Sequence, residues 1–311
     1  MTEAASQIRP DAQVAPRAGV TSVVIVAADS GEVLAQCVER VLASNAALEV
    51  IIVDNDTRDG SVARIATRYA GDPRFYFVYN AANLGFGTGC NRGAASARGD
   101  ALLFLNPDCL IERDTIERLR SVLSADASIG VVGAIQIGAN GRVDPASRRR
   151  DPLLRRALMS LSGLARFASR WSRLAGVELP PSSAAVDRVD AVSGALMLLP
   201  RAVFARIGGF DESYFLHCED LDLCRRVRDA GYAAVCANGV RVAHAKGGSS
   251  RHRPLFVAWH KHRGMWRWFG KFDPAARNPL LRGLVFTGIW TAFGLKVPLL
   301  LLRRALLARS A

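Results

Sequence analysis

The chain has 311 residues, half of them hydrophobic, 22% charged and 7% aromatic. That composition excludes a largely disordered protein, and the length suits one large domain, or a domain with an appendage, burying its core without staples. The formal charge of +13 sits entirely at one end: residues 241–311 hold 14 Lys/Arg and one acid, Asp273, whereas residues 1–240 hold 27 bases and 27 acids. A neutral body excludes a uniformly basic nucleic-acid coat, so no nucleic-acid partner is expected; a basic end suits phosphates or an anionic membrane surface.

Residues 1–18 are polar and mixed in charge, which reads as a flexible leader without a signal peptide and places the protein in the cytoplasm. The short β-branched run Ser22–Ala27 is a buried strand, and Gly31–Ala43 a helix with Val33, Leu34, Cys37, Val38, Val41 and Leu42 on one face. Val50–Val53 is a second strand, ending at Asp54-Asn55-Asp56, and Ser61–Tyr69 is helical. Arg74–Val78 is a third strand, Gly89–Arg98 a helix of small residues, and Ala101–Leu105 a fourth strand ending at Asn106-Pro107-Asp108. Glu112–Leu123 is a helix and Gly130–Ile135 a fifth strand. Such alternation predicts a doubly wound, mostly parallel α/β sheet whose ligands bind at the C-terminal ends of the strands.

Residues 142–188 break the pattern with Arg148-Arg149-Arg150, Arg155-Arg156 and Pro180-Pro181, which reads as a variable insertion in a body spanning 19–250. Val189–Leu199 resumes as a strand, Glu219–Asp229 as a helix, and Ala233–Ala237 and Val240–Ala243 as two short strands. Residues 251–311 form a helical, basic extension rich in Trp and Phe. Within it Leu284–Leu302 is mostly apolar and long enough, at about 1.5 Å per residue, to approach the thickness of a bilayer core. Lys296 and Pro298 interrupt it, so an interfacial anchor is expected ahead of a packed helix or a simple span.

Four stretches are able to carry chemistry. The glycines of Asn83-Leu84-Gly85-Phe86-Gly87-Thr88-Gly89-Cys90-Asn91 miss the G-x-G-x-x-G spacing and follow the third strand, which excludes a standard dinucleotide site. They suit either tight helix packing or close backbone approach to a diphosphate. Asn106-Pro107-Asp108 is either a strand-end turn or an oxygen site for a divalent cation. Glu219 and Asp220 open a helix, where carboxylates cap it or serve as a general base; Asp222 and Arg226 are spaced to pair along it. His244 is either structural or a further metal ligand. The six cysteines match no zinc spacing and read as reduced, small hydrophobes.

Taken in order, the segments VVIVAADSGE, VIIVDNDTRDGS, NLGFGTGCNRG, FLNPD and GGFDESYFLHCEDLDLCRR, with a later His244, resemble family 2 glycosyltransferases of the GT-A fold, near the rhamnosyltransferase-like branch. The resemblance runs from about Thr21 to about Lys271. It implies an inverting transfer from a nucleotide-sugar donor, best matched by dTDP-rhamnose, to a saccharide or polyprenyl-diphosphate-linked acceptor in cell-surface polysaccharide synthesis. Another sugar from a UDP donor, or an inactive scaffold, are the alternatives. By position, Asp54 with Asn55 would meet the donor nucleoside, and Asn83, Gly85, Asn91 and Asn106 would line the donor pocket. Asp108, with His244, would hold Mg²⁺ or Mn²⁺. Asp220 would be the catalytic base, with Glu219 beside it. The pattern departs from the family at Ala27-Ala28-Asp29, where relatives carry an aromatic, and at Asn106, which replaces an acid. The basic end would meet the membrane's inner face, with Arg251, Arg253, Lys261 and Arg263 near a lipid diphosphate.

Overall fold

A computed structural model describes residues 16–244 and 253–309. The leader up to residue 15, the run Gly247-Gly248-Ser249-Ser250 and Arg251 lie outside the described residues. Strand β1 (Arg17–Ala27) leads to helix α1 (Glu32–Leu42), β2 (Leu48–Asn55) to α2 (Ser61–Arg68), and β3 (Phe75–Asn80) to α3 (Phe86–Ala95). Then come β4 (Gly99–Leu105), β5 (Cys109–Leu110), α4 (Thr115–Ala125) and β6 (Ile129–Ile137). A less regular region holds β7 (Arg148–Arg149), α5 (Leu154–Leu161), β8 (Val186–Val189) and β9 (Ala191–Val192). The body closes with β10 (Leu196–Pro200), α6 (Arg201–Arg206), α7 (Glu219–Asp229) and β11 (Ala233–His244), before α8 (Pro254–Phe272) and α9 (Pro279–Arg309).

Nine strands form one sheet in the order β3-β2-β1-β4-β10-β6-β11-β5, with β8 paired to β11. β3, β2, β1 and β4 run parallel, as do β6 and β11, while β10 lies antiparallel between β4 and β6. This is the mostly parallel, doubly wound arrangement that the sequence pattern predicts, with a helical extension. Both faces are covered, so alternate residues of the central strands are apolar on both sides. Val24, Val26, Ile51 and Val53 pack with α3, α6, α7 and α8; Val23, Ile25, Val50 and Ile52 pack with α1, α2 and α4. The order reverses at β1, with β2 and β3 on one side and β4 on the other. A crevice therefore opens at the C-terminal ends of β1 and β4.

The structure departs from the sequence pattern in three places near the crevice. The expected strand Val189–Leu199 breaks at Ser193-Gly194-Ala195, and the Gly194 N–H leaves the ladder to donate to Asp220 at 3.0 Å. Ala233–His244 is one strand with a register shift between Ala237 and Arg241, rather than two. Helix α3 begins at Phe86, earlier than expected, so the glycines form its first turns. A Cβ on Gly89 would come within 2.7 Å of Val26, and one on Gly93 would meet Val24 more closely still. These two glycines let α3 lie against β1; their use is helix packing.

The two C-terminal helices differ in attachment. α8 buries Trp268 and Phe269 in the body, and Lys271 reaches Asp222 at 2.5 Å and Asp211 at 2.9 Å. α9 includes Pro279–Leu302, 24 residues whose most apolar window has mean hydropathy 1.7, long and apolar enough to cross a membrane, with none of that window buried. Pro298 lies inside this helix without ending it.

Candidate active site

A cavity of about 1170 Å³ opens at the ends of β1 and β4. Asn55, Asn83, Gly85, Asn106, Asp108, Glu219, Asp220 and His244 all line it, whereas Asp54 and Asn91 do not.

Asn55 ends β2 on the α3 face. Its amide nitrogen donates to Asn83 Oδ1 at 3.0 Å and to the Gly85 carbonyl at 3.2 Å. Its oxygen accepts from Asn80 at 2.9 Å and from the Leu84 N–H at 3.0 Å. Gly85 has φ +88°, and a Cβ there would sit 2.5 Å from the Phe215 carbonyl oxygen, so only glycine fits. Asn91 works from inside α3: it accepts the Phe210 N–H at 2.8 Å and donates to Glu212 at 2.9 Å. These asparagines brace the entry to α3 against the 210–215 segment. Asp54 lies on the opposite face, where it accepts the Thr57 N–H at 2.8 Å, in register with the exposed Tyr79 of β3.

Asp108 follows β4 and His244 ends β11; both are buried, with Nε2 of the histidine 3.2 Å from Oδ1 of the aspartate. On the other side of the ring Nδ1 lies 3.2 Å from Gln136 Oε1. With the amide oxygen accepting the Nδ1–H, Nε2 turns its lone pair towards the carboxylate. Two electron-rich atoms in that relation need a proton or a metal ion between them. Among the described residues no group of three or more His, Cys, Asp or Glu gathers as a metal site. A buried imidazole nitrogen 3.2 Å from a carboxylate oxygen fits a shared divalent cation, of the kind that keeps phosphate oxygens as further ligands.

The carboxylate pair is positioned by backbone strain. His217 and Cys218 both adopt left-handed conformations, φ 69° and 71°, which cost energy in residues with side chains. That bend turns the first residues of α7 into the cavity. Gly264 of α8 fits over it: a Cβ would lie 2.8 Å from the His217 carbonyl oxygen. Asp220 Oδ2 meets the Arg149 guanidinium at 2.6 Å and the Gly194 N–H at 3.0 Å. Burial pushes this carboxyl up, but Arg149 and the backbone N–H groups outweigh it and hold it below its ordinary value. Burial, and then the Asp220 charge, push Glu219 up. Glu219 Oε2 has no hydrogen-bond partner among the described residues. One carboxyl is thus held ionised and its neighbour held towards the protonated form. His217 is pushed down to about 4 by burial and then by Lys261, so its ring is neutral at pH 7.

Arg149, Gln136 and His217 emerge only from the structure. Arg149 stands in a basic triplet that reads along the chain as a break in the pattern, and Gln136 lies inside an apolar strand. Asp222 and Arg226 do pair, at 2.5 Å, but Lys271 holds the same aspartate, so this network ties α8 to α7.

Residues 22–174 match the family described as Glycosyl transferase family 2. The chain is 30% identical over 249 residues to an N-acetylglucosaminyl-diphospho-decaprenol L-rhamnosyltransferase of Mycobacterium tuberculosis, covering 73% of this chain and 79% of that one. It is 28% identical over 221 residues to the rhamnosyltransferase WbbL of Escherichia coli K12, covering 67% and 77%. Among solved structures, the mannosyltransferase PcManGT of Pyrobaculum calidifontis, in complex with GDP-Man and Mn²⁺, aligns with TM-score 0.57 at 18% identity. That alignment spans 99% of this chain and 80% of that one and supports the fold. With the ordered strand-end motifs gathered round one cavity, and with this homology, the chain belongs to glycosyltransferase family 2 and is a glycosyltransferase.

Proposed function

We propose that the protein transfers L-rhamnose from dTDP-rhamnose to a saccharide carried on a polyprenyl diphosphate, with inversion at the anomeric carbon, during cell-surface polysaccharide synthesis. The observation that carries this reading is the 30% identity to the mycobacterial rhamnosyltransferase across 79% of its length. The acceptor class follows that relative's name, and the basic, apolar C-terminal end suits a reaction at the inner face of the cytoplasmic membrane.

The donor lies across the ends of β1 and β4, with its diphosphate towards Asn106 and Asp108. Asp108 and His244 would hold a divalent cation, Mg²⁺ or Mn²⁺, which would supply Lewis-acid stabilisation of charge on the leaving diphosphate. The acceptor oxygen bonds to the anomeric carbon as the bond to the diphosphate breaks, and its proton passes to Asp220. Arg149 keeps that carboxylate ionised before attack, and Gly194 orients it. Glu219, held towards the protonated form, donates or accepts a hydrogen bond beside the attacking hydroxyl.

Calorimetric binding of dTDP and UDP, each with and without Mn²⁺, tests the donor. Metal-dependent binding that favours dTDP supports rhamnose. A UDP preference moves the donor to another sugar, and binding of neither by folded protein overturns the enzymatic reading in favour of a scaffold.

A further inference from the structure

The cavity has two chemically different ends. One is the strand-end site. The other runs without interruption between α5, α8 and α9, where Leu158, Met265, Leu284 and Ile289 line it. Nothing in the fold needs this second end to stay open. α5 buries none of its residues, and Leu158 and Leu161 on it are exposed. The α5 wall is nonetheless held in place: the Leu154 N–H donates to Asp273, at the end of α8, at 2.5 Å. At the junction stand buried polar atoms that lack partners among the described residues, His217 Nε2 and Glu219 Oε2. Two cations, Arg253 and Lys261, also line the cavity there and pair with no carboxylate among the described residues. Other basic residues of α8 are already committed, since Arg267 and Lys271 are bound to Asp211.

A continuous cavity with an unpartnered polar junction, two uncommitted cations beside it and an arm that is apolar except for Lys296 of α9 has the profile of an amphiphile with an anionic head. We infer that the α5–α8–α9 arm seats the isoprenoid chain of the diphosphate-linked acceptor, with Lys261 and Arg253 on the diphosphate and the saccharide at His217 and Glu219. This rests on the proposed lipid-linked acceptor and adds where that lipid lies. Of the basic residues that the sequence assigns to a lipid diphosphate, Arg253 and Lys261 line the cavity and Arg263 does not.

The test uses farnesyl diphosphate, inorganic diphosphate and farnesol as probes, with EDTA present so that the metal pair binds no diphosphate. Gly288 of α9 lines the arm, and a Cβ there meets nothing within 4 Å, so Gly288→Trp would fill it. Ala157→Trp fills it from the α5 wall, and thermal melting checks that each variant folds. Farnesyl diphosphate should bind at least about tenfold more tightly than either probe that carries only half of it. Both tryptophan variants should remove that gain, and Lys261→Ala should weaken farnesyl diphosphate while leaving farnesol unchanged. Equal binding of farnesyl diphosphate by the wild type and by both folded tryptophan variants would overturn the placement. So would farnesyl diphosphate binding no better than inorganic diphosphate. Binding of dTDP with Mn²⁺, measured on the same preparation, reports on the donor reading separately. Nucleotide binding without a farnesyl gain sinks the lipid arm alone, and a farnesyl gain without nucleotide binding sinks the donor reading alone.

Discussion

The two ends of the cavity are built in opposite ways. At the strand ends almost every polar side chain is held by another: Asn55 by Asn83 and Asn80, His244 by Gln136 and Asp108, Asp220 by Arg149 and Gly194. At the helical end, α5 and α9 line the cavity with largely exposed apolar side chains, and the ties of α5 (Leu154 to Asp273, Arg156 to Asp190) point to the body rather than into the cavity. A reaction that separates charge needs groups preset in position, because reorganising them during the reaction would cost what they supply. A long apolar ligand needs only shape and dryness. The contrast predicts that single substitutions at the strand ends damage turnover by orders of magnitude, and that those at the helical end change affinity or membrane contact.

The largest effect is expected at Asp220. Asp220→Asn should lower kcat by about 10³- to 10⁴-fold in a transfer assay, with nucleotide binding retained as evidence of fold. A variant that keeps near-normal turnover would remove Asp220 from the role of base. Asp108→Ala comes next, with a loss of about 10²- to 10³-fold and loss of the Mn²⁺-dependent part of nucleotide binding by calorimetry. An unchanged metal response would move the cation elsewhere.

Arg149 sharpens the comparison, because it reaches Asp220 from an element outside the main sheet. On the proposed mechanism Asp220 acts in its ionised form, so activity should fail as pH falls through its pKa. Arg149→Gln removes the charge that lowers that pKa. The acid limb of the pH–rate profile should therefore move up by about one to three pH units. A limb that stays in place would show that the ion pair does not govern the base.

Much of the strand end was legible because its signals are local. A buried strand followed at once by Asp54-Asn55 or by Asn106-Pro107-Asp108 places polar side chains at a sheet edge whatever the rest of the chain does. What could not be read is the pairing across sequence. Arg149 and Asp220 are 71 positions apart, and Gln136 and His244 are 108 apart. The β7–β9 pairing, which sets Arg149 opposite Ala191, and the break at Gly194 bring the first pair to the cavity. Nor does a His-Cys dipeptide announce two left-handed residues, since glycine is the usual signal and is absent there. The glycines of α3 left two uses open along the sequence, and Gly89 and Gly93 take the first of them, seating the helix against β1.

Glu219 offers a smaller effect with a clear sign. Its folded carboxyl holds its proton more tightly than the ordinary value of 4.5, because of burial and then the Asp220 charge. Folding therefore favours the protonated group. Its contribution is complete below that ordinary value and is lost as pH rises through the raised one. The wild type should lose stability on the order of 1–3 kcal/mol across that window, and Glu219→Gln should lose less, by thermal melting at a series of pH values. Parallel curves for the two proteins would mean that Glu219 titrates normally.

The smallest stability change is expected on α9, and its smallness carries the information. Leu295, Leu299 and Leu302 are exposed and belong to the stretch that is long and apolar enough to cross a membrane. They do not line the cavity. None of the three is buried, so converting all three to Ser should change the unfolding free energy by no more than about 0.5 kcal/mol per site. The same variant should sediment less with vesicles containing anionic lipid, because the apolar area that the bilayer would cover is gone. If the triple variant instead melts well below the wild type in the absence of lipid, α9 is covered by protein. Its leucines would then be core residues of an assembly, and the helical end of the cavity would owe its shape to a second chain.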